Sequence, residues 1–284
     1  MLFALAACGA NIGATMDAST GDTSTPDVGG DSGLGAWTAP VAIDIPPVGD
    51  DDPTATADLL ELYFNRSGDI YVTTRASLTD AWLAPTVVTA LSSTSGETTP
   101  EVSYDGLTFY LASSRPGTLG GNDIWISTRA SRTAPWGTPI NVPQLSSTAA
   151  DGSPTTTNNL VMVLDTNRLT SGDVSLFIAT RPAATSQWGT PAEIPNVNMT
   201  GATSGNPMLA TNQLTLLFDS NRAGGGDLFM TTRGSIAGSF AAPYAITELN
   251  SAMAESDPWI SQDGRTMYFT SNRDGTQRLW QTTR

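Results

Sequence analysis

The chain has 284 residues, of which 27 are acidic and 13 are arginine; it contains no lysine and no histidine, and its formal net charge is −14. So acidic a chain is a poor partner for nucleic acid or an anionic membrane surface, and we expect no nucleic acid partner. The missing histidine and lysine remove the commonest general base and Schiff-base chemistry, so any catalysis would have to use carboxylates, tyrosine, serine or arginine.

The N-terminal sequence LAAC, which ends at Cys8, resembles the end of a bacterial lipoprotein signal whose cysteine becomes lipidated. Only seven residues precede Cys8 and none is basic, so we interpret residues 1–8 as a truncated signal with Cys8 as the lipidation site. The alternative is an apolar stub with an incidental thiol. Residues 9–35 lack aromatic residues and consist mainly of small and acidic ones, which predicts a flexible acidic tether. No later run approaches the ~20 apolar residues of a membrane-spanning helix, so we expect membrane contact only through the lipid anchor.

A short segment that ends in arginine recurs five times along the rest of the chain. It closes at Arg75, Arg129, Arg181, Arg233 and Arg284, at intervals of 51 to 54 residues. A fixed period of this size is typical of propellers and solenoids, in which each repeat packs against its neighbours. The period therefore predicts a set of equivalent structural units over residues 36–284.

Each repeat contains four segments that favour short β-strands. The first has an aromatic residue three positions before a proline, which favours an outer edge strand; the aromatic residues are Trp37, Trp82, Trp136, Trp188 and Phe240. The second starts an inner strand at a proline: Pro53, Pro100, Pro154, Pro207 or Pro258. The third is aliphatic and ends on a hairpin arginine: Arg66, Arg115, Arg168, Arg222 or Arg273. The fourth carries an aromatic residue four positions before the closing arginine: Tyr71, Trp125, Phe177, Phe229 or Trp280.

Two of these stretches carry a family resemblance: SQDGRTMYFTSNRDG at residues 261–275 and NDIWISTR at residues 122–129. They are similar to the WD40-like repeat of TolB-type β-propellers. The resemblance implies an all-β fold of four-stranded antiparallel blades around a central channel, with a protein-interaction role in the bacterial envelope. Five repeats predict a five-bladed propeller. Because the repeats begin with an outer strand and stop after a fourth segment, we expect the N-terminal strand to complete the last blade and close the ring.

The residues that repeat are expected to hold the blades together. The aromatic residues should pack within or between blades, with a repeated sugar-binding set as the alternative. The hairpin arginines should pair across the turn with acids of the fourth segment, as exposed ion pairs that each contribute about 0–1 kcal/mol. Those acids are Asp69, Asp123 and Asp227.

Ligand contacts are expected where one repeat departs from the others. The residue after the inner-strand proline is Thr54, Glu101, Thr155, Met208 or Trp259. We expect this position at the channel mouth, where Trp259 would serve either as a stacking platform or as a plug in the channel.

Acidic residues gather near the same predicted rim: Asp50, Asp51, Asp52, Glu97, Glu101, Asp151, Glu255 and Asp257. They predict an acidic funnel that holds Ca²⁺ or a cationic group of a partner, and the alternative is solvated loop charge. The candidate ligand-binding residues are Trp259, Asp257, Glu255, Asp52, Glu101 and Met208.

These features together favour a monomeric, non-catalytic propeller of the bacterial envelope, either lipid-anchored or periplasmic and secreted, that binds a protein or another envelope component. The alternative is a carbohydrate-active propeller, either a lectin or a glycoside hydrolase. A glycoside hydrolase would need two carboxylates about 5–10 Å apart, for which Asp52, Glu101 and Asp257 are candidates. Apart from Ca²⁺, we expect no cofactor.

Overall fold

The computed structural model describes residues 34–284, so the predicted signal, Cys8 and nearly all of the predicted tether lie outside the described residues. Residues 34–284 form twenty β-strands and no helix, and accordingly no helix of this part is long and apolar enough to cross a membrane. The strands form five separate four-stranded antiparallel sheets. The predicted all-β, five-bladed propeller is confirmed.

Four blades have their strands in chain order from the axis outwards, and the fifth takes its outer strand from the N-terminal end of the described chain. The inner strands are β2 (Asp50–Ala55), β6 (Glu97–Val102), β10 (Asp151–Thr156), β14 (Ser204–Leu209) and β18 (Glu255–Ile260). The second strands are β3 (Glu61–Arg66), β7 (Thr108–Ser113), β11 (Val161–Thr166), β15 (Thr215–Ser220) and β19 (Thr266–Ser271). The third strands are β4 (Asp69–Thr74), β8 (Asp123–Thr128), β12 (Ser175–Thr180), β16 (Asp227–Thr232) and β20 (Arg278–Thr283). The outer strands are β5 (Thr86–Val87), β9 (Ile140–Asn141), β13 (Ala192–Glu193), β17 (Tyr244–Ala245) and β1 (Val41–Ala42).

The N-terminal strand closes the ring, as predicted. β1 pairs antiparallel with β20, so the first strand of the described chain is the outer strand of the fifth blade. Two further main-chain hydrogen bonds extend this pairing: Thr38 N donates to Thr283 O at 2.8 Å, and Ile43 N donates to Leu279 O at 2.9 Å. The two ends of the described chain are therefore held in one sheet.

The core lies between neighbouring blades, where the faces of adjacent sheets pack together. Between the first two blades, Phe109 lies 5.2 Å from Tyr63 and 5.2 Å from Trp136, in edge-to-face contacts. Such aromatic contacts add about 0.5–1.5 kcal/mol to the free energy of burial.

Each closing arginine holds the aromatic residue of an outer strand against the blade to which that strand belongs. Each guanidinium stacks 4.2–4.5 Å from the ring that opens the next repeat, and its Nε donates at 2.6–2.8 Å to a carbonyl in the turn between the first two strands. The ring closes here too, because Arg284 stacks on Trp37. The prediction that these aromatic residues pack within or between blades is confirmed.

The hairpin arginines pair with different acids from those predicted. Each reaches the first residue of the inner strand, in the pairs Arg66–Asp50, Arg115–Glu97, Arg168–Asp151 and Arg273–Glu255, at 2.5–3.1 Å. The fourth blade has Ser204 at this place, and Ser204 Oγ is 2.8 Å from Arg222. The four acids are at most 1 % exposed, so the predictions of exposed pairs with Asp69, Asp123 and Asp227, and of solvated loop charge at these four positions, are wrong. Burial of each carboxylate is tolerated because a guanidinium at short distance offsets the cost of removing its charge from water.

The propeller has two unlike faces. All inner strands begin at one face, which we call the mouth face, and end at the other, which we call the opposite face. Leu34 lies at the opposite face, because its Cδ1 would be 3.0 Å from a Cβ placed on Gly264 in the β18–β19 turn. The final residue, Arg284, also lies there, with Nε bonded to the carbonyl of Gly264.

Candidate functional site

Every inner strand carries a bulge that turns one side chain towards the propeller axis. The residue before the inner-strand proline adopts a positive φ of 45–55° in all five blades: Asp52, Thr99, Ser153, Asn206 and Asp257. The strand register shifts at the same place in all five pairings of inner and second strands. A left-handed conformation costs a non-glycine residue about 1–3 kcal/mol and is found at sites that the surrounding structure defines tightly.

Neighbouring bulges are joined by hydrogen bonds around the axis. Thr99 N donates to Asp52 Oδ2 at 3.1 Å, and Ser153 N donates to Thr99 Oγ1 at 3.0 Å. In the next two junctions a second-strand carboxylate takes the acceptor's place: Asn206 N donates to Asp165 at 3.1 Å, and Asp257 N donates to Asp219 at 3.3 Å. These bonds give each bulge a fixed position relative to its neighbour.

Carboxylates converge where the fifth blade meets the first. One oxygen from each of Asp51, Asp52 and Asp257 lies within 4.8 Å of the other two. Burial, reinforced by the charge of Asp257, raises the pKa of Asp51 to about 9. Burial and the charge of Asp51 raise the pKa of Asp52 to about 7, and burial with the charge of Asp52 raises the pKa of Asp257 well above its usual value. Burial likewise raises the pKa of Asp219 to about 6.

The axial acids have no cationic partner within the described part of the chain. The ion pairs of residues 34–284 include none of Asp51, Asp52, Asp165, Asp219 or Asp257. The four buried acids that begin the inner strands are different, because each of them pairs with a hairpin arginine. The mouth therefore gathers acidic groups that no arginine neutralises, and their raised pKa values mean that part of them hold a proton at neutral pH.

Two aromatic residues close the channel below the acids. Trp259 is 2 % exposed and stacks on Tyr268, with ring centroids 5.6 Å apart. Tyr104, from a turn of the second blade, lies 6.0 Å from Trp259 and donates its hydroxyl to Ile260 O at 3.0 Å. This contact crosses the axis from the second blade to the fifth. The arrangement matches the plug interpretation of Trp259 and leaves no ring face open for stacking.

The pocket above this plug is small. Its walls carry the five bulge residues with their prolines, and its floor carries Glu101, Thr155, Met208 and Trp259. The space open to the centres of water molecules is about 40 Å³, room for about three waters. The pocket fits an ion or a single side chain end, and is too small for a sugar ring.

The structure brings five of the six sequence candidates to the pocket as buried or half-buried groups, with Asp52 and Asp257 at the mouth and Glu101 and Trp259 below them. Met208 joins the floor, where it is 2 % exposed. Glu255 lies elsewhere, paired with Arg273 and bonded to Ser251 and Ser271. Ligand binding by these residues stays a prediction.

Sequence reasoning missed Asp165 and Asp219 as axial groups. Both lie on second strands that otherwise read as aliphatic, and both pair in register with a glycine of the inner strand: Asp165 with Gly152, and Asp219 with Gly205. A Cβ on Gly152 would lie 3.0 Å from a carboxylate oxygen of Asp165. The combination of an acid in an aliphatic strand and a glycine at the paired position was the available signal.

We expect Glu101→Gln to make the protein's stability less dependent on pH. Burial raises the pKa of Glu101 to about 8 from an ordinary value of 4.5, although Thr54, Thr155 and Thr156 donate hydrogen bonds to it. Between these two pKa values the native state holds an extra proton, so stability falls as the pH rises, by roughly 1 kcal/mol per pH unit, and the loss is complete above pH 8. The neutral amide abolishes this slope. Urea unfolding from pH 5 to 9 measures it, and parallel curves for the two proteins would contradict the assignment.

Comparison with known proteins shows the fold. No protein-family model and no curated protein matches the chain. A putative TolB from Agrobacterium tumefaciens is 14 % identical with a TM-score of 0.53, covering 79 % of this chain and 70 % of that one. An α-L-arabinofuranosidase from Lactobacillus brevis is 13 % identical with a TM-score of 0.58, covering 86 % and 94 %. Xyloglucan PUL GH43B from Bacteroides ovatus is 15 % identical with a TM-score of 0.54, covering 86 % and 53 %. At these identities the similarity shows the β-propeller fold alone.

Proposed function

We propose that the protein is a non-catalytic binding module of the bacterial envelope whose partner is another protein, bound at the mouth face. The observation that carries this proposal is the pocket on the axis, which is closed by Trp259 and Tyr104 and has room for about three water molecules. Ligand pockets for drug-sized molecules measure about 300–1,000 Å³ and bury most of their ligand. The axial pocket itself is therefore too small for a ligand of that size, and we place binding on the surface that surrounds it.

The mouth face offers such a surface. Its loops expose large apolar side chains around the acidic centre: Val48, Leu119, Met199 and Met253, which are 45–56 % exposed. A protein partner that places a basic side chain over the acids and apolar side chains over these positions would complement both features. The formal net charge of −14 favours fast encounter with a basic partner.

The carbohydrate-active alternative is supported by the carboxylates at the axis and by the hydrolases among the structures of similar fold. Glycoside hydrolases place the sugar between two carboxylates, about 5–5.5 Å apart in retaining enzymes and about 6.5–9.5 Å apart in inverting ones. Here the oxygens of Asp51, Asp52 and Asp257 lie within 4.8 Å of one another in a pocket without room for a ring. A lectin built on the repeated tryptophans is disfavoured because an arginine covers one face of each.

The assignment to the envelope rests on the sequence around Cys8 and on the resemblance to TolB-type repeats. Both support an anchored or periplasmic protein. A change of Cys8 to alanine in the full-length gene, followed by membrane fractionation, tests the anchor.

Site-specific photo-crosslinking in living bacteria tests the binding face. A photo-reactive residue is placed at Leu119 or Met253 on the mouth face, and at Leu78 or Ile236 on the opposite face, all four of which are 45–59 % exposed. We expect one discrete adduct from the mouth-face positions alone, weakened by Asp257→Asn. Adducts of equal strength from both faces, or none from the mouth face, would contradict the proposal.

A panel of aryl glycosides tests the alternative. We expect no hydrolysis above the rate of buffer. Hydrolysis by the wild-type protein that Asp257→Asn abolishes would overturn the non-catalytic proposal and favour the glycoside hydrolase.

A further inference from the structure

We propose that the mouth holds one Ca²⁺ ion, bound by the carboxylates of Asp51, Asp52 and Asp257, and that this ion joins the fifth blade to the first. The same carboxylates would face the basic group of the protein partner proposed above, and the titration below is made without a partner, so failure of the metal site and failure of the proposed function can be told apart.

The donor atoms are those that Ca²⁺ prefers. Ca²⁺ takes six to eight oxygen ligands at about 2.3–2.6 Å, so two oxygens on one ion lie up to about 5 Å apart. The three carboxylates each present an oxygen within 4.8 Å of the other two. Neither sulfur nor imidazole lies among them, which disfavours zinc and copper. Remaining positions are available to water.

A buried hydroxyl is a second observation that points to a ligand. Thr270 is 2 % exposed, and its Oγ1 is buried without a hydrogen bond of normal geometry. This side chain lies beside Asp51, whose carboxyl it contacts. Thr270 occupies in the fifth blade the position that Asp165 and Asp219 occupy in the third and fourth, where the side chain faces the next blade. A cation at the mouth would take Thr270 Oγ1 as a ligand in place of its poorly aligned contact with Asp51.

The location gives the ion a structural role. Asp257 lies on β18 of the fifth blade, and Asp51 and Asp52 lie on β2 of the first. This junction is the seam at which the ring closes, and covalent continuity across it is provided only through strand β1 at the periphery. Three carboxyl groups with no cation nearby approach one another closely only when some of them hold protons, and an ion between them would attract all three carboxylates at once.

Calorimetric titration of the full-length, chelator-treated protein with CaCl₂ tests the proposal, together with thermal unfolding in Ca²⁺, in Mg²⁺ and in chelator. We expect one Ca²⁺ per chain, a rise in melting temperature with Ca²⁺, and weaker binding of Mg²⁺. The variants Asp51→Asn and Asp257→Asn should weaken Ca²⁺ binding at least about tenfold, because affinity follows the number of charged ligands. Thr270→Val should weaken it by less.

The matched control is Asp80→Asn, which removes one exposed acid from the opposite face and should bind Ca²⁺ like the wild type. In chelator, Asp257→Asn should melt no lower than the wild type, because the amide is uncharged and close to the carboxyl group in shape, and this separates loss of the site from loss of the fold. Absence of heat and of a melting shift with Ca²⁺ in the wild type would overturn the proposal. So would equal Ca²⁺ affinity in Asp257→Asn and Asp80→Asn.

Discussion

Internal deletion of residues 34–43 is expected to abolish cooperative folding of the propeller. The deletion removes β1, the stacking of Trp37 on Arg284 and the buried side chain of Ile43, together with the main-chain hydrogen bonds to Thr283 and Leu279. It also leaves β20 as an open edge. The losses together are comparable to the whole stability of a typical domain, about 5–15 kcal/mol. Circular dichroism during heating and the yield of soluble protein measure the effect.

Strand complementation provides the control for this prediction. A synthetic peptide of residues 34–43, added during refolding, should restore a cooperative transition by occupying the place of β1. The same peptide with Trp37→Ala and Ile43→Asp should restore little. If the protein lacking residues 34–43 melts at the wild-type temperature without the peptide, then β1 does not contribute to the stability of the closed ring.

The variant Arg115→Met is expected to cost about 3–5 kcal/mol of stability. Its partner Glu97 is fully buried, and removal of one member of a buried ion pair leaves an uncompensated charge. Arg115 also donates to Leu91 O at 2.6 Å, so a buried carbonyl loses its bond as well. Chemical denaturation at pH 7 measures the loss.

The fourth blade supplies a matched comparison. Arg222 occupies the same position, stacks on Phe229 at 5.0 Å as Arg115 stacks on Trp125 at 5.3 Å, and donates to Val197 O. Its inner-strand partner is the neutral Ser204, and burial lowers the pKa of the Arg222 guanidinium. Arg222→Met should therefore cost only about 1–2 kcal/mol, the value of the lost hydrogen bonds. Equal losses of unfolding free energy in the two variants would mean that the buried charge of Glu97 is not the main cause of the loss in Arg115→Met.

The architecture could be predicted from the sequence because the residues that define a blade recur in every repeat. Five copies of the same aromatic, proline and arginine pattern predicted five blades, and the position of Trp37 before the first inner strand predicted how the ring closes. A packing position that recurs in every blade needs a similar side chain each time, so the period of the sequence identifies such positions directly.

The partners of the arginines were predicted wrongly because the assignment considered only neighbours along the hairpin. Arg115 bonds to Glu97, 18 positions earlier in the chain, since the inner strand starts at the face where the second strand ends. Asp69, at the start of the third strand, lies opposite Arg66 in the strand register, and so does Asp50 at the start of the inner strand. The guanidinium extends towards the inner strand, and this direction decides which acid it meets.

Only part of the candidate site could be predicted from the sequence, namely the residues whose place follows from the repeat. Asp52 and Asp257 stand beside repeated prolines, so their place near the axis could be inferred from the repeat. The plug formed by Trp259 and Tyr104 required knowledge of a contact across the ring, between residues 155 positions apart, that no local pattern encodes. The positive φ of the bulge residues likewise depends on how all five inner strands crowd around one axis.

The entry and exit of the chain set the direction in which the molecule faces its surroundings. Leu34 and Arg284 both lie at the opposite face, so a linker joined before the first or after the last leaves on the side away from the acids. If the segment before Leu34 is fastened to a lipid layer, the opposite face is the one nearest to the attachment, and the mouth lies on the side of the disc that is free to meet a partner. Neighbouring copies would then present their mouths side by side to the same approaching partner.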